Sequence, residues 1–304
     1  MEKIRKLRGG NYLFVSEDGN TLVGYSGQNI AYVYDLSGNS LDPIYKIRTI
    51  QYLSRVAVSP DRKYLATKST TGEIAVFSLE SGEELFRVKT KEMDGYQMYF
   101  TGDSKSVLDL GRSRIKLIDI ETQKVTYLDD DIQPVAGYCP RVWHIALDRS
   151  SRQIYRFIET ESNYTGELQI SPSDPGRISF QVAKEVPYQM PKVLKGFSLC
   201  RERNYYWRKP HIIVTDKQFN EIGKIDLPSE FEHSPPMRKF FISPCEKYIL
   251  FDFMKVSGES YLYELATMKM VRKFEYPYLW DFTMVKDDTM FVVSTWQGAF
   301  IGKV

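Results

Sequence analysis

The sequence predicts an all-β fold in which one sheet module is repeated along the chain. An apolar strand, a small polar turn and a second apolar strand recur in five clear copies, which begin at Tyr12, Arg55, Gln97, Phe240 and Phe282. Aromatic residues make up 14% of the chain, and aromatic and β-branched side chains favour pleated sheet. The sequence has no helical periodicity of any length. We therefore expect a chain of strands and hairpins.

The spacing of the module predicts a β-propeller. The last strand residues before the turns, at steps of 43, 42, 142 and 42 residues, are Ser16, Ser59, Thr101, Ser243 and Val285. Repeats of this length are typical of propeller blades, which are four-stranded antiparallel sheets. The step of 142 residues holds three longer repeats, with weaker copies at HIALDRSSRQIYRF and GFSLCRERNYYW. Residues 1–304 thus fit a seven-bladed β-propeller in a single domain.

The second repeat shows how the sequence encodes one blade. Its four predicted strands lie at residues 55–59, 64–68, 73–79 and 84–88. Pro60 presets φ in the first hairpin, and the short side chain of Asp61 closes that turn. Gly72 and Gly82 supply positions of positive φ in the other two turns.

The two ends of the chain predict how the ring closes. After the last of these turns only two strands follow, at residues 290–294 and 299–304, so the last blade is one strand short. We expect residues 3–7 to supply its outer strand, with Ile4 and Leu7 packed on the last blade. A ring closed by the N-terminal strand leaves no open sheet edge and holds both ends of the chain.

The composition argues against a membrane span and against a charge-driven partner. Hydrophobic residues make up 42% of the chain, yet no stretch of 18 uncharged apolar residues occurs. The net charge of +2 gives no field that would draw nucleic acid or anionic lipid to the whole surface. The first ten residues, MEKIRKLRGG, lack the apolar segment of a secretory signal, so we expect a cytoplasmic protein. Nothing in these totals sets the oligomeric state.

Residue types that serve catalysis or metal binding are sparse. Of the three histidines, only His144 lies at a predicted first strand, so a multi-histidine catalytic ring cannot form. The three cysteines are scattered without a CxxC pair, and neither a GxSxG nor a GxGxxG motif occurs. The acidic run at residues 129–131 lacks neighbouring spaced ligands. We therefore expect no cofactor, no metal and no enzyme, although carboxylates from different blades could still converge in the fold.

The second repeat resembles the WD40-like propeller superfamily. The residues that carry the resemblance are Ser59-Pro60-Asp61-Arg62-Lys63-Tyr64-Leu65-Ala66, where the usual phrase of that superfamily is SPDGKYLA. Tyr34-Asp35 and Ile118-Asp119 stand where its Trp-Asp pair would fall, and neither Trp-Asp nor Gly-His occurs at its usual place in any repeat. The chain is thus similar to a divergent member, over essentially its whole length.

The resemblance implies a binding face. In such propellers the connections from fourth to first strand and from second to third strand gather on one face, called the top. Tyrosine, tryptophan and arginine dominate binding hot spots. The candidate partner-binding residues in these connections are Tyr52, Tyr96, Arg112, Arg114, Tyr188, Arg208, Lys209, Tyr278, Trp280 and Trp296.

Each candidate also has a structural interpretation. Trp280 begins a first strand, where an aromatic ring can be a buried plug between blades. The four tyrosines can be partly buried packing residues, and the basic turns can be ordinary solvated turns. Trp296, in a tight turn beside Gly298, is the best candidate for an exposed anchor.

The sequence-level hypothesis is a non-catalytic scaffold that binds a protein or peptide on the top face. Aromatic anchors would bury apolar area, and Arg and Lys would set the orientation of the partner. The alternatives are a lactonase-like propeller hydrolase with acidic residues at the central mouth, and a platform that holds a phosphate-bearing or nucleic-acid ligand at the arginine turns.

Overall fold

The structure is a computed structural model. It describes residues 4–10, 12–16, 18–26, 28–38, 40–90, 95–111, 115–127, 142–148, 153–159, 164–171, 174–181, 197–199, 202–208, 211–216, 220–231, 237–253, 258–276 and 279–304. For the described residues within 95–97, 110–111, 115, 142–199, 206–208, 230 and 237–238, it describes the backbone alone.

The described residues form seven four-stranded sheets, six of which use consecutive strands. Strand β1 (Arg5–Lys6) comes first in the chain and belongs to the last sheet. The first sheet comprises β2 (Tyr12–Val15), β3 (Thr21–Tyr25), β4 (Ile30–Asp35) and β5 (Tyr45–Arg48). The second comprises β6 (Leu53–Val58), β7 (Tyr64–Ser69), β8 (Glu73–Ser78) and β9 (Glu84–Lys89). The third comprises β10 (Gly95–Phe100), β11 (Ser106–Gly111), β12 (Ile115–Asp119) and β13 (Val125–Tyr127).

The longer repeats form the next two sheets. The fourth comprises β14 (Val142–Asp148), β15 (Gln153–Glu159), β16 (Tyr164–Ser171) and β17 (Asp174–Gln181). The fifth comprises β18 (Phe197–Leu199), β19 (Asn204–Arg208), β20 (His211–Thr215) and β21 (Glu221–Asp226). The sixth comprises β22 (Met237–Ile242), β23 (Tyr248–Phe253), β24 (Glu259–Glu264) and β25 (Met270–Glu275). The four predicted strands of the second repeat are confirmed to within two residues.

The seventh sheet joins the two ends of the chain. Its strand order is β1, β28 (Gly298–Lys303), β27 (Met290–Thr295) and β26 (Leu279–Val285). Arg5 pairs antiparallel with Ile301, and Lys6 pairs with Phe300. Leu7 is buried, and its N–H donates to the carbonyl of Ala299 at 2.8 Å. The predicted outer strand near the N-terminus is therefore present in the last sheet.

The chain divides into two compact units. The terminal unit comprises Met1–Leu13, Asp148–Ser150 and Tyr188–Val304, and the central unit comprises Phe14–Leu147 and Ser151–Pro187. In each unit the cores lie between consecutive sheets. In the central unit Ala66 and Ile74 of the second sheet share a core with Met98 and Val107 of the third. In the terminal unit Leu250 of the sixth sheet shares one with Phe282, Phe291 and Val293 of the seventh.

In the first, second, third and sixth sheets, a serine or threonine hydroxyl closes the hairpin between the first and second strands. Ser59 Oγ accepts the N–H of Tyr64 at 2.9 Å and donates to Asp61 Oδ1 at 2.6 Å. The third residue of this turn has positive φ in several sheets, as in Arg62 (59°) and Glu246 (54°). The predicted turn chemistry of Asp61 is thus confirmed.

The helical content is confined to one short turn in the described part of the chain. This is a 3-10 turn at Ser229–Phe231. Within the described ranges no helix has the length and apolar character needed to span a bilayer.

Candidate functional site

A β-bulge places Trp280 at the surface of the seventh sheet. Leu279 pairs with Thr295 and Asp281 pairs with Ser294, so Trp280 is an extra residue in the ladder between β26 and β27. A bulge leaves one residue unpaired and redirects its side chain. Leu279 and Phe282 are buried, whereas the side chain of Trp280 is 36% exposed. The alternative interpretation of Trp280, as a buried plug between blades, is therefore not supported.

The same bulge recurs in three other first strands. The pairings of Leu53 with Ser69 and Arg55 with Lys68 leave Ser54 as the extra residue of β6. The equivalent residues are Tyr96 in β10 and Arg238 in β22. The four bulge residues follow the steps of the sequence repeat, because each lies five residues before one of the repeat positions Ser59, Thr101, Ser243 and Val285. Sequence reasoning missed Arg238, although this register position could have found it.

The second tryptophan lies in the tight turn between β27 and β28. Thr295 Oγ1 accepts the N–H of Gln297 at 3.0 Å and donates to the carbonyl of Gly298 at 3.1 Å. Gly298 has a φ of 123°, which side-chain-bearing residues rarely adopt. The turn holds Trp296 outward, and its side chain is 58% exposed.

Three aromatic rings form one contiguous surface, here called the tryptophan patch: Tyr12, Trp280 and Trp296. The ring centroids of Trp280 and Trp296 are 5.5 Å apart, at an interplanar angle of 55°. The centroids of Tyr12 and Trp280 are 5.8 Å apart, at 45°. All three residues belong to the terminal unit. Tyr12 is absent from the sequence-based candidate set.

One lysine contacts Trp280, and another lies against the turn that carries Trp296. Lys239 Nζ donates to the carbonyl oxygen of Trp280 and lies 4.7 Å from the ring centroid of Phe241. Lys6 packs against the turn that carries Trp296. A Cβ atom added to Gly298 would lie 2.9 Å from the Cε atom of Lys6. Lys6 Nζ is also 5.9 Å from the ring centroid of Phe300. Both lysines were missed by sequence reasoning.

Tyr52 is exposed in the central unit. Its side chain is 61% exposed, so the packing interpretation is wrong for this tyrosine. Its φ is 55°, and its carbonyl accepts the N–H of Thr70 at 2.9 Å. This bond joins the connection before β6 to the turn after β7, so the two predicted sets of connections lie at the same end of the second sheet.

The remaining candidates are described by backbone or not at all. Tyr96 is the bulge residue of β10 and Arg208 ends β19, and only their backbones are described. Five candidates lie outside the described residues: Arg112, Arg114, Tyr188, Lys209 and Tyr278.

A buried charge network links the second and third sheets. Asp109 Oδ1 and Oδ2 accept from Lys68 Nζ at 2.8 and 2.9 Å, and Oδ2 accepts from Lys116 Nζ at 3.0 Å. All three side chains are fully buried. Because two ammonium groups hold this carboxylate, we assign the network to structure rather than to catalysis.

Comparisons with known proteins identify the fold. No protein-family model matches the chain, and no curated protein matches it in sequence. Among solved structures, the chain is similar to the β-propeller domain of Cps50 (Swd1) from Myceliophteria thermophila, with 12% identity, a TM-score of 0.70 and 100% of each chain covered. No group of three or more His, Cys, Asp or Glu side chains able to hold a metal ion occurs among the described residues. The chain therefore has a β-propeller fold, as its repeat predicts.

Proposed function

We propose that the protein is a non-catalytic cytoplasmic platform that binds a protein or peptide through the tryptophan patch. In this proposal the seven sheets are the seven blades of one closed ring and one domain. The pairing of β1 with β28 supports the closure, and the full-length likeness to a propeller domain supports the single domain.

The observation that carries the proposal is the exposure of two tryptophans in mutual contact. Tryptophan is the residue type most enriched at binding hot spots, because it buries a large area at little entropic cost. Trp296 is 58% exposed to solvent and Trp280 is 36% exposed. The bulge holds the backbone of Trp280 and the glycine turn holds that of Trp296. Docking of a partner would therefore cost little additional backbone entropy.

The test is a comparison of proteins that co-purify with the intact chain and with a Trp280→Ala/Trp296→Ala variant. We expect the affinity of the variant for its specific partner to fall at least about 30-fold, since a hot-spot truncation costs about 2 kcal/mol or more of binding free energy. Quantitative mass spectrometry of the bound fraction measures this loss.

The matched control is Ile222→Ala/Met270→Ala. These side chains are 57% and 55% exposed and belong to the same unit, but they lie on β21 and β25, away from the patch. The control should retain the partner. Retention of every specific partner by the tryptophan variant, with an unchanged melting curve, would contradict the proposed function.

A further inference from the structure

The first hairpin of the sixth sheet, at residues 243–248, does not carry the aspartate that other first hairpins use to close. Its sequence is SPCEKY, whereas the equivalent hairpin of the second sheet, at residues 59–64, is SPDRKY. In the second sheet Asp61 Oδ1 accepts from Ser59 Oγ at 2.6 Å. Cys245 stands in the place of that aspartate, and a thiol is a much weaker acceptor than a carboxylate.

The seventh sheet supplies a carboxylate at this place. Asp288 follows β26 and is only 3% exposed. Its Oδ2 accepts the N–H of Cys245 at 3.2 Å, and the Ser243 hydroxyl also donates to its carboxylate. Lys247 Nζ donates to the carbonyl of Asp287 at 3.3 Å, which is a second bond between the same two sheets. The neighbouring sheet thus provides the acceptor that the second sheet provides within its own hairpin.

The turn after β26 is constrained where it carries Asp288. Lys286, Asp287 and Asp288 have φ of 52°, 53° and 61°, a left-handed conformation that residues with a side chain adopt rarely, and then mostly one at a time. The N–H and the hydroxyl of Thr289 donate to the carbonyl of Lys286, at 3.1 and 2.6 Å. This turn holds the carboxylate of Asp288 against the sixth hairpin.

Similar contacts recur between neighbouring sheets. In four sheets the third residue of the first turn has positive φ and contacts the sheet before it; these residues are Arg62, Ser104, Glu246 and Asp288. Ser104 Oγ accepts the N–H of Asp61 at 3.2 Å. Glu246 Oε1 accepts the N–H of Glu202 at 2.8 Å. Of the four, only Asp288 is a buried carboxylate.

Burial makes the Asp288 carboxylate sensitive to protonation. Its Oδ1 is buried and accepts no hydrogen bond from the described residues, so this oxygen has lost water without gaining a donor. The titratable groups beside it are Cys245 and Lys247 of the sixth hairpin and Lys286 and Asp287 of its own turn.

The balance of these effects favours the protonated form. Burial raises the pKa of Asp288 above 3.8, although hydrogen bonds from Ser243, Cys245 and Lys247 and the charge of Lys247 act in the opposite direction. The stability that this group contributes is therefore fully present below pH 3.8 and is lost as the pH rises through the folded pKa.

We infer that Asp288 is a proton-sensitive bridge between the sixth and seventh sheets. Its carboxyl group closes the hairpin in which Cys245 replaces the aspartate of the second sheet, and proton uptake tightens this junction. The bridge is independent of the tryptophan patch, because Trp280 lies near the start of β26 and Asp288 follows its end.

The first test measures closure of the sixth hairpin by hydrogen exchange. The probes are the N–H groups of Lys247 and Tyr248, which both donate to Ser243 Oγ at 3.0 Å. We expect Asp288→Ala to exchange these hydrogens at least about 10-fold faster than Asp287→Ala does, since a buried N–H loses its acceptor. Asp287→Ala is the matched control, because it removes an exposed acid at nearly the same φ.

A rescue variant isolates the missing carboxylate as the cause. Cys245→Asp/Asp288→Ala restores the SPD sequence of the second sheet and should bring exchange back to within about 3-fold of the unaltered protein. If Asp288→Ala alone does not fold, recovery of a folded protein by the double variant is the same result. Equal exchange in the two alanine variants, or no recovery in the double variant, would overturn the bridge.

The second test measures proton sensitivity on the unaltered protein and on Asp288→Asn, which keeps the size of the carboxyl group without its charge. NMR titration of the Asp288 carboxyl carbon should give a pKa above 3.8. The urea midpoint of the unaltered protein, relative to that of Asp288→Asn, should fall as the pH rises through this pKa. Titration at or below 3.8, or a difference in midpoint that does not change with pH, would overturn the proton sensitivity.

Discussion

Gly298 shows how one residue shapes the candidate site. Its positive φ strains any residue with a side chain, and a Cβ at this position would displace the end of the Lys6 side chain. We expect Gly298→Ala to lower the free energy of unfolding by about 1–2 kcal/mol, because alanine is strained at this φ and its Cβ would meet Lys6. Urea denaturation followed by tryptophan fluorescence measures the change.

The control for this substitution is Gly223→Ala in β21. A Cβ at Gly223 would meet no atom within 4 Å, and its φ is not in the left-handed region. This variant should be as stable as the original protein or slightly more stable. Equal effects of the two alanines would show that the turn is not constrained as described.

Asp109 is the residue on which the buried charge network depends. We expect Asp109→Ala to destabilise the protein by about 3–5 kcal/mol, since it leaves two ammonium groups buried without their shared carboxylate. Thermal and urea unfolding measure this loss.

Two comparisons isolate the buried charge as the cause. Glu84→Gln disrupts the surface pair with Arg87, in which the bond is 2.7 Å long, and should cost less than about 1 kcal/mol. A Lys68→Met/Asp109→Leu/Lys116→Met variant removes all three charges and should recover much of the stability lost in Asp109→Ala. A triple variant less stable than the single one would contradict this explanation.

At the scale of elements, the first hairpin is a repeated hydrogen-bonded unit in the first, second, third and sixth sheets. The Thr101 hydroxyl donates to Asp103 at 2.7 Å and accepts the N–H of Ser106 at 3.0 Å. The hydroxyl of Thr101 and the N–H of Lys105 hold the pKa of Asp103 below its ordinary value of 3.8. The same arrangement joins Ser59 to Asp61.

The pH dependence of this hairpin follows from the lowered pKa. A carboxylate whose pKa is lower in the folded state stabilises the fold above pH 3.8, and this stability is lost as the pH falls through the folded pKa. We expect Thr101→Val to return the pKa of Asp103 towards 3.8, as measured by NMR titration of the carboxyl carbon. Thr122→Val removes the equivalent hydroxyl at Asp119 and should leave Asp103 unchanged. An unaltered Asp103 titration in Thr101→Val would show that the bond is unimportant.

The β-bulges are a second structural feature that recurs among the sheets. In four first strands the extra residue sits at the same register position, so one backbone feature can present different side chains. Apart from Ser54, these extra residues are Tyr96, Arg238 and Trp280. All three residue types are enriched at hot spots.

At the scale of the whole molecule, the proposed closure makes a direct prediction about the N-terminus. Deleting residues 1–8 removes β1 and the buried Leu7, and it exposes the edge of β28. Burial of one leucine is worth about 2 kcal/mol, and 1 kcal/mol shifts the melting temperature by about 2–4 °C in a chain of this size. We expect the melting temperature to fall by at least about 4–8 °C.

Leu7→Ala is the companion to this deletion. It keeps the strand but removes most of the buried side chain, so it should cause a smaller fall in the melting temperature. An unchanged melting curve after the deletion would contradict closure by the N-terminal strand.

The sequence by itself determined the strands, the hairpins and their period. Strand alternation and turn chemistry are local properties, so residues such as Pro60, Asp61 and Gly72 predicted the turns of the second sheet directly. The short last repeat predicted that an N-terminal strand would complete it. The residue types of Trp280 and Trp296 also marked them as candidates before their positions were known.

Only the tertiary structure decided which candidates are exposed and what surrounds them. The exposure of Trp280 depends on a bulge, and a bulge depends on which residue of another strand lies opposite. The contacts of Tyr12 and Lys239 with Trp280, and the position of Lys6 against Gly298, join segments far apart in the chain. The same is true of Lys68 and Asp109, because burial and pairing across sheets arise from packing and carry no local sequence signal.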